Sequence, residues 1–104
     1  MQPKDLVQLA EQFGNPLYVY DAEKIQSQYH RLRAAFSKVE RLRINYAVKA
    51  LSNLAILQLL RQMGSNLDTV SIQEVQLGLH ASFQPQQIIY TPNGVSFEEI
   101  EDVA

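Results

Sequence analysis

The sequence predicts an α/β fold, and within that class the amino-terminal part of an eight-stranded (β/α)8 barrel of the TIM type, about three βα units with an upstream strand and helices. Three observations carry this. Short β-type runs alternate with helical periodicity along the chain. The expected strand ends, Lys49, Val70 and Thr91, recur every 21 residues. Three such units are too few for a closed barrel, which needs eight strands and roughly 250 residues. Periodicity alone fits a complete three-stranded α/β domain as well, and the helical pattern still running at Ala104 favours the truncated barrel.

Each element follows from its residues. Pro3 to Phe13 carries Leu6, Leu9, Ala10 and Phe13 at helical spacing, with Pro3 at its start and Gly14 just past its end, the usual asymmetry of helix termini. Asn15-Pro16 is turn chemistry, and Leu17 to Tyr20 reads as a short upstream strand before Asp21, a good N-cap. From Ala22 to about Ser37, Ile25, Tyr29, Leu32 and Phe36 form one narrow apolar stripe. These first 40 residues lead into the barrel, and residues 41–104 form its first three βα units.

The run from Arg41 to Lys49 alternates: Leu42, Ile44, Tyr46 and Val48 share one parity, Arg43, Asn45, Ala47 and Lys49 the other. The apolar face is expected to meet a helix. The polar face is expected to point into something enclosed, because strands between helices are usually covered on both sides. Ser52 or Asn53 caps the next helix, whose buried face is Ile56, Leu59, Leu60 and Met63 and whose end is Gly64. Asn66 to Val70 is a second strand. Ser71-Ile72-Gln73-Glu74 has the capping-box form and opens a helix with Ile72, Val75 and Leu79 inward. Gln87 to Thr91 is a third strand, broken by Pro92-Asn93-Gly94, and Ser96 to Glu99 is a second capping box.

Composition narrows the function classes. With 104 residues, 46% of them hydrophobic, and a formal charge of -2, the chain has a globular composition and lacks the basic footprint of a nucleic-acid or anionic-membrane binder. The absence of cysteine excludes disulfides and thiolate-bound metals. Neither His30 nor His80 has a partner at metal spacing, so no metal is expected. Lys4, Asp5 and Glu11 interrupt any apolar leader, and a cytoplasmic location is the default. The four glycines form no phosphate-cradling loop.

Lys49 is the residue with the most chemistry. A lysine at the carboxyl end of an inward-facing strand lies where barrels bind ligands, and burial there would favour the neutral amine that attacks a carbonyl to form a Schiff base. The same position equally suits a point charge for phosphate or carboxylate, or a lysine reaching solvent. Asp68 has the parity opposite to Leu67 and Thr69, and either projects toward the same mouth or serves as a turn residue. Glu74 is accounted for by its capping box with Ser71. Asn93-Gly94 marks a loop at the same end.

Taken in order, Gly14-Asn15-Pro16-Leu17-Tyr18-Val19-Tyr20-Asp21, Tyr46-Ala47-Val48-Lys49-Ala50, Asn53, Leu67-Asp68-Thr69-Val70-Ser71, Glu74 and Ile88 to Gly94 resemble the alanine-racemase-like barrel family that uses pyridoxal 5'-phosphate. Within that family the likeness is strongest to the diaminopimelate decarboxylases and covers nearly the whole chain. Other members of the same barrel type are the ornithine, arginine and carboxynorspermidine decarboxylases and the non-catalytic PLP-homeostasis proteins. The resemblance implies that Lys49 is the Schiff-base lysine, Ala47 a small residue beside the cofactor ring, Asp68 and Glu74 an acidic pair near the lysine, and Asn93 a substrate-side loop residue. It implies decarboxylation of meso-2,6-diaminopimelate to L-lysine by a homodimer. It also implies that the phosphate loop, the acidic partner of the pyridine nitrogen, the stacking histidine and a cysteine from the second subunit lie beyond position 104. These 104 residues alone are therefore expected to be inactive, and their open strand edge to favour self-association. Two residues depart from the family pattern: Leu51 stands where asparagine is usual and Val95 where lysine is usual. On this reading Leu51 removes a hydrogen-bonding group near the mouth.

Overall fold

A computed structural model describes residues 1–104. Its elements run α1 (Pro3–Phe13), α2 (Ala22–Ala35), β1 (Asn45–Ala47), α3 (Leu54–Gln62), β2 (Asn66–Thr69), α4 (Ile72–His80), β3 (Ile88–Tyr90) and α5 (Phe97–Val103). Single 3-10 turns occupy Val48–Ala50 and Pro85–Gln87. The three strands form one parallel sheet in the order β1-β2-β3. Asn45 pairs with Asn66 and Leu67 with Ile88, so both ladders step 21 positions along the chain, which is the period seen in the sequence.

The helix boundaries follow from local capping. The Asp21 carboxylate accepts from the N–H groups of Glu23 and Lys24 at 3.0 and 3.3 Å, satisfying two donors that the first turn of α2 leaves open. Asn53, rather than Ser52, caps α3 through the Ile56 N–H at 3.2 Å. Ser96 and Glu99 exchange reciprocal bonds at the start of α5.

The apolar face of the sheet is covered by two adjoining clusters. Val48, Leu57, Leu67, Ala81 and Phe83 form one, with Leu77 and Ile88 packed against it; Tyr29, Ile56 and Leu60 form the other. Tyr46 touches both. α4 comes down onto β2 and β3 at Gly78, where a Cβ would lie 2.8 Å from Leu67 Cδ1. Leu57, absent from the expected face of α3, is fully buried because that helix is clasped between both clusters. Leu79, expected inward, is 47% exposed, since Gly78 and Leu77 take the inner positions of α4.

One expectation fails. Leu17 to Tyr20 is irregular rather than a strand, and Tyr18 is 89% exposed. The β-type composition of this segment is not matched by any strand in the chain with which it pairs. Within these 104 residues the polar face of the sheet is open, as three strands of an eight-stranded barrel leave it: Asn45 and Ile89 on that face are exposed. An uncovered sheet with an outlying amino-terminal helix gives a Cα radius of gyration of 16.6 Å, above the roughly 13 Å of a compact chain of about 100 residues. No helix is long and apolar enough to cross a membrane.

Candidate active site

Side chains alternate across a strand, and residues paired in register share a face. Ala47 pairs with Asp68, and Asp68 with Ile89. These three therefore form one row on the open face, opposite the Tyr46-Leu67-Ile88 row, in which Leu67 is buried and the other two are half-buried. The row lies at the carboxyl end of β1 and β2, the end of a parallel βα sheet at which ligands collect.

Lys49 follows Ala47, the β1 member of this row, by two residues. The strand does not reach it. Ala47 is the last paired residue, and Val48 to Ala50 close into a 3-10 turn in which the Leu51 N–H donates to the Val48 carbonyl at 3.1 Å. The cause lies in the packing on either side of the lysine. Val48 is fully buried in one cluster, the Leu51 side chain lies against the other, and the Tyr46 hydroxyl donates to the Leu51 carbonyl at 3.0 Å. Lys49 is held at the crest of this tied turn and is exposed within these 104 residues, so the expectation of a lysine at a strand end is corrected to one on a fixed turn. Leu51 is corrected too. Its side chain faces the Tyr29-Ile56-Leu60 cluster behind the sheet and so takes nothing from the mouth. Burial raises the Tyr46 phenol above the usual tyrosine range, the neighbouring Tyr20 adds to the rise, and the bond to Leu51 opposes it. The phenol is therefore a protonated donor at neutral pH.

Asp68 is half-buried and accepts a 2.6 Å hydrogen bond from the Thr91 hydroxyl. Glu74 departs from the reciprocal capping box. Ser71 Oγ accepts from the Glu74 N–H at 3.2 Å, as expected, but Glu74 Oε1 reaches the Val70 N–H at 3.4 Å instead of that of Ser71. Its Oε2 is buried with no hydrogen-bond partner. A buried carboxylate oxygen without a donor costs free energy, so a donor supplied to this atom would be stabilising. Asn93 lies in the exposed loop after β3, beside Gly94 at φ +67°, and its side chain bonds nothing within the chain. The structure thus brings Ala47, Asp68 and Glu74 to the strand ends that carry Lys49, and leaves Asn93 at the rim.

Two residues at this end are not read as site residues from sequence, Tyr46 and Thr91. Thr91 had a signal, because it shares parity with Ile89 and hence with the Asp68 row. The largest cleft, about 520 Å3, is elsewhere: it runs between α2 and the free edge of β1, reaching Tyr46 and Ala47 but none of Lys49, Asp68 or Glu74. It reflects the unpaired edge of the sheet, and the chemistry of the strand ends is the better guide to the site.

These residues suit a cofactor that carries an aldehyde and a ring hydroxyl. Lys49 is exposed, Glu74 Oε2 and Asp68 Oδ2 have no donor within the chain, and Ala47 is the small residue of the row. No phosphate cradle is among them.

The family profile described as "Pyridoxal-dependent decarboxylase, pyridoxal binding domain" matches residues 22–104. The diaminopimelate decarboxylase of Methanothermobacter thermautotrophicus is 43% identical over 98 residues, which are 93% of this chain and 23% of that protein. That of Campylobacter jejuni is 40% identical over 96 residues, 92% of this chain and 24% of that protein. Among solved structures, diaminopimelate decarboxylase from Methanocaldococcus jannaschii in co-complex with L-lysine superimposes with a TM-score of 0.86 at 36% identity, covering 91% of this chain and 23% of that one. Lysine/ornithine decarboxylase from Vibrio vulnificus complexed with putrescine gives a TM-score of 0.86 at 26% identity, covering 96% and 27%. The chain spans about a quarter of the length of these relatives.

Proposed function

We propose, for a chain that belongs to the pyridoxal-dependent decarboxylases through their pyridoxal binding domain, that it is the cofactor-holding amino-terminal part of a diaminopimelate decarboxylase. The whole protein would convert meso-2,6-diaminopimelate to L-lysine and CO2. On this reading residues 1–40 lead into the barrel and residues 41–104 are its first three βα units. The observation that carries the proposal is the lysine-bearing turn two residues beyond an alanine paired in register with Asp68.

When bound, pyridoxal 5'-phosphate supplies the electron sink for breaking a bond at the α-carbon of an amino acid. The chain's own residues have separable tasks. Lys49 would hold the cofactor covalently through Nζ, on a turn whose neighbours are anchored in two apolar clusters. Ala47 would leave room for the ring. Asp68 and Glu74 would accept hydrogen bonds from the cofactor hydroxyl and the lysine amine, using Asp68 Oδ2 and Glu74 Oε2. Asn93 would meet substrate at the rim.

Substrate choice favours diaminopimelate on degree of likeness. Relatives of that activity reach 43% identity, against 26% for the lysine/ornithine enzyme. The whole protein is read as a homodimer, and the free edge of β1 supports self-association of the 104-residue piece. The test is CO2 release by the purified full-length protein supplied in turn with meso-diaminopimelate, L-ornithine, L-lysine and L-arginine. Turnover of diaminopimelate alone is expected, and turnover of ornithine or arginine in its place would replace the proposed substrate.

A further inference from the structure

We propose that Thr91 is a positioning residue that sets the orientation of the Asp68 carboxylate for the cofactor; this rests on the reading of the site above and adds a residue that reading leaves out. The argument begins with the backbone. Thr91 is the first residue past β3, and its N–H donates to the Thr69 carbonyl at 2.8 Å, extending the β2-β3 ladder by one step. That bond fixes where the side chain of residue 91 starts. From there its hydroxyl lies 2.6 Å from Asp68 Oδ1 and 3.4 Å from the Thr69 carbonyl. A hydroxyl has one proton to give. The shorter distance falls in the range of charge-assisted O–H···O⁻ bonds, while the longer one exceeds the usual limit for an O–H donor, so the proton belongs to Asp68.

Two consequences follow. Asp68 Oδ1 is committed before any ligand arrives, and Oδ2 is left to meet a further donor. The bond also restrains rotation of the carboxylate, so part of the entropy cost of ordering it is met in the folded protein and does not weaken cofactor binding. A purely structural role fits less well. The ends of β2 and β3 are already joined by the Thr91 N–H bond to Thr69 and by Thr69 Oγ1 donating to the Ile89 carbonyl at 2.8 Å. The Thr91 hydroxyl adds no strand pairing. Threonine is suited to the task because β-branching restricts χ1 and so holds the donor in one direction.

The experiment uses the full-length protein, stripped of cofactor and titrated with pyridoxal 5'-phosphate by absorbance. Thr91→Val replaces the hydroxyl with a methyl of similar size and is expected to raise Kd between about twofold and tenfold, the cost of ordering one freed side chain on binding. Thr91→Ser should recover most of that loss. In an Asp68→Ala background Thr91→Val should cause no further loss, because the group it orients is gone. Should Thr91→Val fail to fold, Thr91→Ala compared with Thr91→Ser answers the same question. Wild-type affinity in the valine or alanine variant, or a full additional loss on top of Asp68→Ala, would overturn the positioning role. Borohydride labelling separates this from the underlying reading: a label on Lys49 with unchanged Kd in Thr91→Val rejects only the role of Thr91, whereas a label on another lysine rejects the site itself.

Discussion

Replacing Tyr46 with phenylalanine should loosen the turn that carries Lys49 while leaving the sheet intact. The ring is the part of Tyr46 that packs against both apolar clusters, and the substitution keeps that ring. What is lost is the 3.0 Å bond from the phenol to the Leu51 carbonyl. Losing such a bond costs about 1 kcal/mol, rising to about 3 kcal/mol if the carbonyl is left dry, so the turn should open between about fivefold and a hundredfold more often. Hydrogen exchange reads this locally. The Leu51 amide, bonded to Val48, should exchange faster, while the Asn66 amide, bonded to Ile44 at 2.9 Å, should not change. Equal acceleration at both amides, or none at Leu51, would refute the reasoning. The pH dependence has a definite sign. Burial raises the Tyr46 pKa in the folded protein above its unfolded value of 10.0. Its contribution to stability is therefore complete below about pH 10 and is lost as pH rises through the folded pKa, where the unfolded chain has already released the proton. The stability gap between wild type and Tyr46→Phe should narrow above pH 10, and a gap that widens there contradicts the assignment.

Three further outcomes are expected. Asp21→Ala removes the cap of two N–H groups and should destabilise α2 by about 1 kcal/mol, visible as faster exchange of the Glu23 and Lys24 amides. Leu67→Ala deletes a fully buried side chain where α4 meets the sheet and should cost about 3 kcal/mol in chemical denaturation. Ala47→Leu fills the space beside Asp68 and should abolish cofactor binding by the full-length protein with an unchanged far-UV circular dichroism spectrum; normal binding would show that the ring does not lie over this row.

The elements legible in the sequence are those decided by near neighbours. Asp21 and the Ser96-Glu99 pair set their helix starts through atoms two or three residues away, and the 21-residue strand period reappeared as the ladder register. Features decided at a distance were not legible. Val48 and Lys49 continue the alternation of β1, yet anchoring Val48 and Leu51 in separate clusters turns the chain before Lys49. Leu51 stands beside the lysine in sequence and faces the other way in space. Glu74 fits the capping-box pattern, yet packing in three dimensions leaves one of its oxygens with no donor. The bond between Asp68 and Thr91 spans 23 residues and exists because two strands pair in one register rather than another. The run from Leu17 to Tyr20 has strand composition, but strand formation needs a partner as well as propensity.

The central claim is that Lys49 is the amine that captures the cofactor. The direct measurement is peptide mass spectrometry of the full-length protein after loading with pyridoxal 5'-phosphate and reduction with borohydride. The account predicts a pyridoxyl adduct on the peptide containing Lys49 and none on those containing Lys4, Lys24 or Lys38. An adduct on any other lysine, with Lys49 unmodified, would contradict it.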